Sequence, residues 1–219
     1  MATVLNDVEV RVLASLVEKQ VTTPEYYPLT LNSLTLACNQ KNNRNPVTAF
    51  DETTVMQALE SLREKNLAYV FYGSSSRVPK YKHVMPEVLH LSQQELAVMC
   101  VLMLRGAQTL GELKDRGARL HEFSNVEEVD ATLNQLAVKE PDPLVTRLPR
   151  QPGQKEARFA HLLSGEVAVD VPMESESPRR AIRVSEAERV SALEQQLETL
   201  RAEVTALQQQ FEQFKKQFE

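Results

Sequence analysis

The sequence predicts an α+β, mainly helical chain in which one structural unit occurs twice ahead of a long C-terminal helix. Three observations carry that expectation. A basic residue, an aromatic and a histidine recur in step at Lys80-Tyr81-Lys82-His83 and Arg158-Phe159-Ala160-His161. A helix-start signal recurs upstream of each, and an unbroken heptad closes the chain.

The first helix of each unit opens on a capping box. Leu5-Asn6 is followed by Glu9, Val12 and Leu16, and Leu91-Ser92 by Glu95, Val98 and Leu102. An N-cap side chain with Glu three positions on satisfies N–H groups that a helix start leaves orphaned. The second helix of the first unit places Leu31, Leu34 and Cys38 on one face. The third helices carry Val55, Leu59 and Leu62 in one unit and Val129, Leu133 and Leu136 in the other, each set lining one face.

β-like segments follow. Leu67 to Tyr72 is rich in aromatic and branched residues, Gly73-Ser74-Ser75-Ser76 breaks it and Val78 to Val84 resumes. Leu144 to Arg150, a turn around Pro152-Gly153, and Ala157 to Leu163 repeat the plan. Three helices and a hairpin within about 75 residues is the order of a winged helix-turn-helix unit. Tandem units are expected at 1–86 and 87–165, with two unrelated small α+β units as the alternative.

Leu96 to Leu104 is nine consecutive apolar residues, far short of the roughly 20 that cross a bilayer. A helix apolar all round must be covered on several sides. The first helix of the second unit is therefore expected to pack on the first unit, the alternative being a face left open for a partner. No membrane association is expected.

Ser164 to Arg183 mixes Pro172, Pro178, serines and acids without a period, so 166–183 is read as a flexible linker. Over 184–219, Val190, Leu193, Leu197, Leu200, Val204, Leu207, Phe211, Phe214 and Phe218 alternate spacings of three and four. That seam predicts a left-handed coiled coil, and valine at a with leucine at d favours a parallel homodimer. A single amphipathic helix folding back on its own domains is the alternative.

With 219 residues and 42% hydrophobic content, two small cores can be buried. Two cysteines exclude a disulfide scaffold. Cys38 lies on an apolar face and Cys100 in the apolar run, so both are expected to be buried thiols. The start Met-Ala-Thr-Val carries neither a basic region nor a long apolar segment, and a cytoplasmic location is expected.

Several strings resemble the YceH family of bacterial proteins, known as domain of unknown function 480. They are Thr22-Thr23-Pro24-Glu25-Tyr26-Tyr27-Pro28-Leu29, Ala37-Cys38-Asn39-Gln40-Lys41-Asn42-Asn43-Arg44-Asn45-Pro46-Val47 and Arg77-Val78-Pro79-Lys80-Tyr81. Leu104-Arg105-Gly106-Ala107-Gln108-Thr109 and the run Leu148 to Arg158 resemble further signatures. The resemblance covers roughly Leu5 to Gly165. It implies a tandem winged-helix fold and lends no functional residues, since the family's biochemical role is not established. The chain departs from that pattern at Asn45, where an acid is common, and at Gly117, where alanine is common. The first change is expected to leave Arg44 less neutralised, the second to weaken a helix by about 1 kcal/mol.

A winged helix raises the question of DNA, and charge bears on the answer. The formal net charge is −5. Lys and Arg exceed Asp and Glu by one in residues 1–84 and fall short by two in 85–165, so neither unit is a strongly basic body. The third helix is the one expected to enter the major groove. Its outward face offers Glu52, Thr53, Gln57, Glu60 and Glu64 in the first unit, and Glu127, Glu128, Asp130, Asn134 and Gln135 in the second. Carboxylates are repelled by phosphate, so these helices are poor groove readers.

Cations gather elsewhere: Lys41 and Arg44 before the third helix, Arg77, Lys80 and Lys82 on the first wing, and Arg147, Arg150, Lys155 and Arg158 on the second. These are the candidate phosphate contacts, an ordinary solvated surface being the alternative. Glu52, Glu60, Glu127 and Glu128 are the candidate contacts for a basic protein partner. His83, His90, His121 and His161 lack metal-ligand spacing and no glycine-rich phosphate loop exists, so no catalytic residue, metal or cofactor is expected. His83 and His161 read as structural residues at equivalent strand ends.

Overall fold

Asn6 and Ser92 begin the helices around which the rest is built. The computed structural model describes residues 4–72, 78–150 and 154–165. In it each cap side chain accepts from the N–H of the glutamate three positions on, Glu9 or Glu95, and that carboxylate accepts from the cap's own N–H. The helices they start are α1 (Asp7–Thr22) and α5 (Gln93–Arg105). Both glutamates take a second partner from just beyond the third helix of their own half. Lys65 Nζ lies 2.7 Å from Glu9 Oε2, and Lys139 Nζ lies 2.7 Å from Glu95 Oε1. A Ser92→Ala variant should lose about 1 kcal/mol in urea denaturation, the usual cost of an N-cap.

Between these starts the chain forms α2 (Leu31–Cys38), α3 (Glu52–Glu64), β1 (Ala68–Phe71), β2 (Lys80–His83) and the short connecting helix α4 (Met85–Leu89). After α5 the order repeats as α6 (Leu110–Gly117), α7 (Val126–Ala137), β3 (Val145–Arg147) and β4 (Phe159–His161). The described fold is thus α+β and mainly helical, each half ending in an antiparallel two-stranded sheet. The strands are shorter than the expected hairpins, and α4, with Pro86 and Glu87 in its first turn, adds to the expected elements.

The recurrent aromatic of the basic-aromatic-histidine signature has a structural task. Tyr81 and Leu29 exchange backbone hydrogen bonds of 2.7 and 3.2 Å, and Phe159 and Gln108 exchange a pair of 2.8 and 3.0 Å. Leu29 and Gln108 each directly precede an N-cap, Thr30 of α2 or Thr109 of α6. A third extended segment therefore bridges each sheet at the same place.

The halves share a core. α5 is buried from Glu95 to Leu104 and α1 from Glu9 to Glu18, and the two helices pack on each other. The thiol of Cys100 donates to Ala14 O across that contact at 3.6 Å. Leu5 N donates to Leu163 O at 2.7 Å, so the far end of the second half closes on the beginning of the first. Gly117 has a packing reason: an added Cβ would stand 3.3 Å from the buried Phe123 ring, which offsets the helix propensity that alanine would bring.

The chain divides into Met1–Val171 and Pro172–Glu219, and both halves fall within the first unit. The expected linker 166–183 and the helix bearing the seam Val190 to Phe218 lie outside the described residues. No helix among the described residues is long and apolar enough to cross a membrane.

Candidate nucleic-acid interface

The first hairpin separates its side chains by alternation. Ala68 pairs with His83 and Val70 with Tyr81 toward the core, whereas Tyr69 pairs with Lys82 and Phe71 with Lys80 on the outward face. Tyr69 is 37% and Phe71 42% exposed. Lys82 Nζ stands 5.8 Å from the centroid of the Tyr69 ring. Lys80 has no ion-pair partner among the described residues. Arg77 lies outside the described residues.

On the second hairpin Arg147, Arg150 and Lys155 are exposed and without an ion-pair partner among the described residues. Arg147 and Arg150 face Glu127, Asp130 and Asn134 of α7 across an open groove of about 550 Å³. Arg158 is more constrained than its place in the sequence suggests. Its guanidinium donates to Ala107 O and to Glu112 Oε2, both at 2.8 Å, tying the strand to the capping box of α6. It is withdrawn from the candidate phosphate contacts.

Arg44 requires a larger correction. Its polar loop predicts a surface position, yet its side chain is 0% exposed and ion-paired with the equally buried Glu18 at 2.5 Å. It also donates to Ala37 O at 2.8 Å and Asn43 O at 3.0 Å. Arg119, which follows α6, reaches the other oxygen of Glu18 at 2.5 Å. Burial alone would raise the Glu18 carboxyl, but the Arg44 hydrogen bonds and the charges of Arg44, Arg119 and Lys19 outweigh it and hold the group below the ordinary carboxylate range. Glu18, not the acid expected at position 45, neutralises Arg44, and Asn45 is exposed.

The string around Arg44 is consequently a structural clasp. Asn39 accepts from Phe50 N and donates to Phe50 O, Arg11 donates to Pro46 O at 2.7 Å, and Asn45 N donates to Leu104 O of α5. Arg105 donates to Asn43 Oδ1 at 2.5 Å. Of the two candidate cations in this loop, only Lys41 is left exposed and unpaired among the described residues. The residues that reveal the clasp, Arg11 and Glu18, are charges set in phase with the apolar face of α1.

The outward acids of the third helices are mostly where expected. Glu52, Glu60 and Glu64 on α3 and Glu127 on α7 are exposed, with Glu52 accepting from Asn32. Glu128 is withdrawn from the partner-binding set because its oxygens accept from Ser124 N at 2.7 Å and Gln94 Nε2 at 2.8 Å.

Both cysteines are buried and unbonded to each other. Burial raises the Cys38 thiol to about 11 and raises Cys100 as well, leaving both protonated at neutral pH. Among the described residues no group of His, Cys, Asp and Glu is arranged to hold a metal ion.

A mainly helical α+β body of two like halves, with cationic hairpins and acidic third helices, is the class these features define. The chain belongs to the family described as "Protein of unknown function, DUF480", which matches residues 5–154. It is 52% identical over the whole of both chains to a UPF0502 protein of Geobacter sulfurreducens. To a UPF0502 protein of Opitutus terrae it is 57% identical over 76% of this chain and 72% of the relative. One from Aliivibrio salmonicida is 44% identical over 94% and 96%. The likeness to the first of these runs through residues 166–219, beyond the reach of the family match.

Proposed function

We propose that this chain is a non-enzymatic tandem winged-helix protein that associates with nucleic acid through its wings and reads little sequence. The observation that carries the reading is the segregation of charge. The cations Lys80 and Lys82, Arg147, Arg150 and Lys155, and Lys41 are carried by the two hairpins and a loop, the outward carboxylates by α3 and α7, and only Arg147 and Arg150 share a groove with those acids. Helix, helix, helix and hairpin in each half supports the winged-helix assignment, in which the hairpin is the wing. Acidic third helices are repelled by phosphate, so contacts fall to the wings and yield backbone affinity without base readout. Dimerisation through Val190 to Phe218 would add avidity. The buried, neutral His83 and the thiols of Cys38 and Cys100, held protonated by burial, support a role without catalysis.

Fluorescence anisotropy of the full chain with several duplexes across a salt series tests this. Duplexes of unrelated sequence should bind alike. Each phosphate that a cation neutralises steepens the plot of log affinity against log salt by about 0.9. Replacing Lys80 and Lys82 by alanine should therefore flatten that plot by up to about 2. An unchanged slope would remove the first wing from the interface.

A second reading rests on the exposure of Glu52, Glu60 and Glu127. Those carboxylates would suit a basic protein partner, making the chain a scaffold. Pull-down with and without nuclease separates the readings: partners that survive nuclease and vanish with Glu52→Gln/Glu60→Gln favour the scaffold.

A further inference from the structure

We infer that the outward face of the first hairpin is a stacking platform for an unpaired nucleic-acid strand, an assignment that rests on the nucleic-acid reading and narrows its substrate. Tyr69 and Phe71 point the same way from one strand, and each faces a lysine across the ladder, Lys82 and Lys80 respectively. Alternate residues on a strand stand about 7 Å apart, which spaces the rings for successive splayed bases rather than bases stacked within a helix. An aromatic takes the π-face of any base, and an ammonium beside it takes the adjoining phosphate, so binding needs no hydrogen-bond readout.

Charge selects this occupant over an apolar protein surface. Lysine is depleted in protein interfaces, and here two lysines interleave with the only two rings on the paired outward face. Lys82 already lies over Tyr69, the geometry of a cation–π contact, and is long enough to move aside toward a phosphate when a base covers the ring. The second hairpin supplies an internal contrast. At the positions matching Tyr69 and Lys82 it has Thr146 opposite Ala160, with neither ring nor amine. The platform belongs to one half of the molecule.

A labelled oligodeoxythymidine of about 16 nucleotides, a length in the range of single-strand sites, should bind the full chain more tightly than a duplex of equal length. Tyr69→Ala and Phe71→Ala should each lower single-strand affinity about 5- to 150-fold, the usual loss of a stacked base, while duplex affinity stays nearly unchanged. The chain contains no tryptophan, so Phe71→Trp provides a single reporter that should retain binding and be quenched by the oligonucleotide. Oligouridine should bind like oligodeoxythymidine, and a marked preference for either sugar would overturn the platform. Single-strand binding that is lost with Lys80→Ala/Lys82→Ala but indifferent to Tyr69→Ala and Phe71→Ala would overturn stacking while leaving the wider nucleic-acid reading intact. No binding of either form at low salt, with the parent chain folded by circular dichroism, would overturn both.

Discussion

Glu18→Ala is expected to cost the fold about 3–5 kcal/mol, the range seen when one partner of a buried ion pair is removed. The cost arises in what remains. Arg44 would keep its guanidinium in a site with 0% side-chain exposure, with Ala37 O and Asn43 O as neutral partners and no anion beside it. Arg119 would lose its ion pair too, but its side chain is about one-third exposed and water can replace the carboxylate. Arg119→Ala should therefore cost no more than about 1 kcal/mol. Because Glu18 joins the loop before α3 to the segment after α6, the loss should appear as one cooperative transition of the body. Urea denaturation at neutral pH measures it. A Glu18→Ala midpoint within error of the parent would mean that the clasp is not held by this pair.

This clasp marks where sequence reading stopped. Capping at Asn6 and Ser92 was legible because the signal is local, a side chain and its own helix start. The apolar face of α5 was legible for the same reason. α1 is buried over an equal length, yet Arg11, Ser15 and Glu18 interrupt its apolar pattern, so that pattern does not show burial on all sides. Glu18 is tolerated only because Arg44, 26 residues on, and Arg119, about a hundred residues on, meet it in space, and Arg11 because Pro46 O accepts from it, which no spacing rule reports. Arg44 misleads in the complementary way. A cation among asparagines looks solvated until its acceptors are known.

The candidate site was legible in part. Alternation placed Lys80 and Lys82 together and Tyr81 behind them, as the register shows. Tyr69 and Phe71 read only as strand-forming residues, because their lysine partners follow from the register, and Gly73 to Arg77 between the strands leaves several registers open. Arg158 sits beside the aromatic in its signature just as Lys80 does, but Glu112 exists to capture it in one half and has no equivalent at the first hairpin.

The histidine that ends the first signature should make the protein lose stability between pH 6.5 and about 4. His83 is 2% exposed, its Nδ1 accepts from Met85 N at 3.3 Å, and Nε2 has no partner among the described residues. The Tyr27 ring meets it edge-on, 6.1 Å between centroids. Burial, and secondarily the charge of Lys82, pushes its pKa down to about 4. Folded chains thus hold it neutral where unfolded chains protonate it. Stability is complete above the unfolded value of 6.5 and declines as pH falls toward 4, by about 3 kcal/mol at 1.36 kcal/mol per pH unit. Glu9, Glu18, Glu95 and Glu112 also stabilise through lowered pKa values, but their loss begins at about 4.5 and so overlaps only the lowest part of this window. His161, lowered by its own burial, acts in the same direction. Urea denaturation of the full chain at half-unit steps should therefore show stability rising with pH across the window, and His83→Gln should remove most of that rise whatever it does to the absolute value. An unchanged slope in the variant would show that His83 is not the group being protonated.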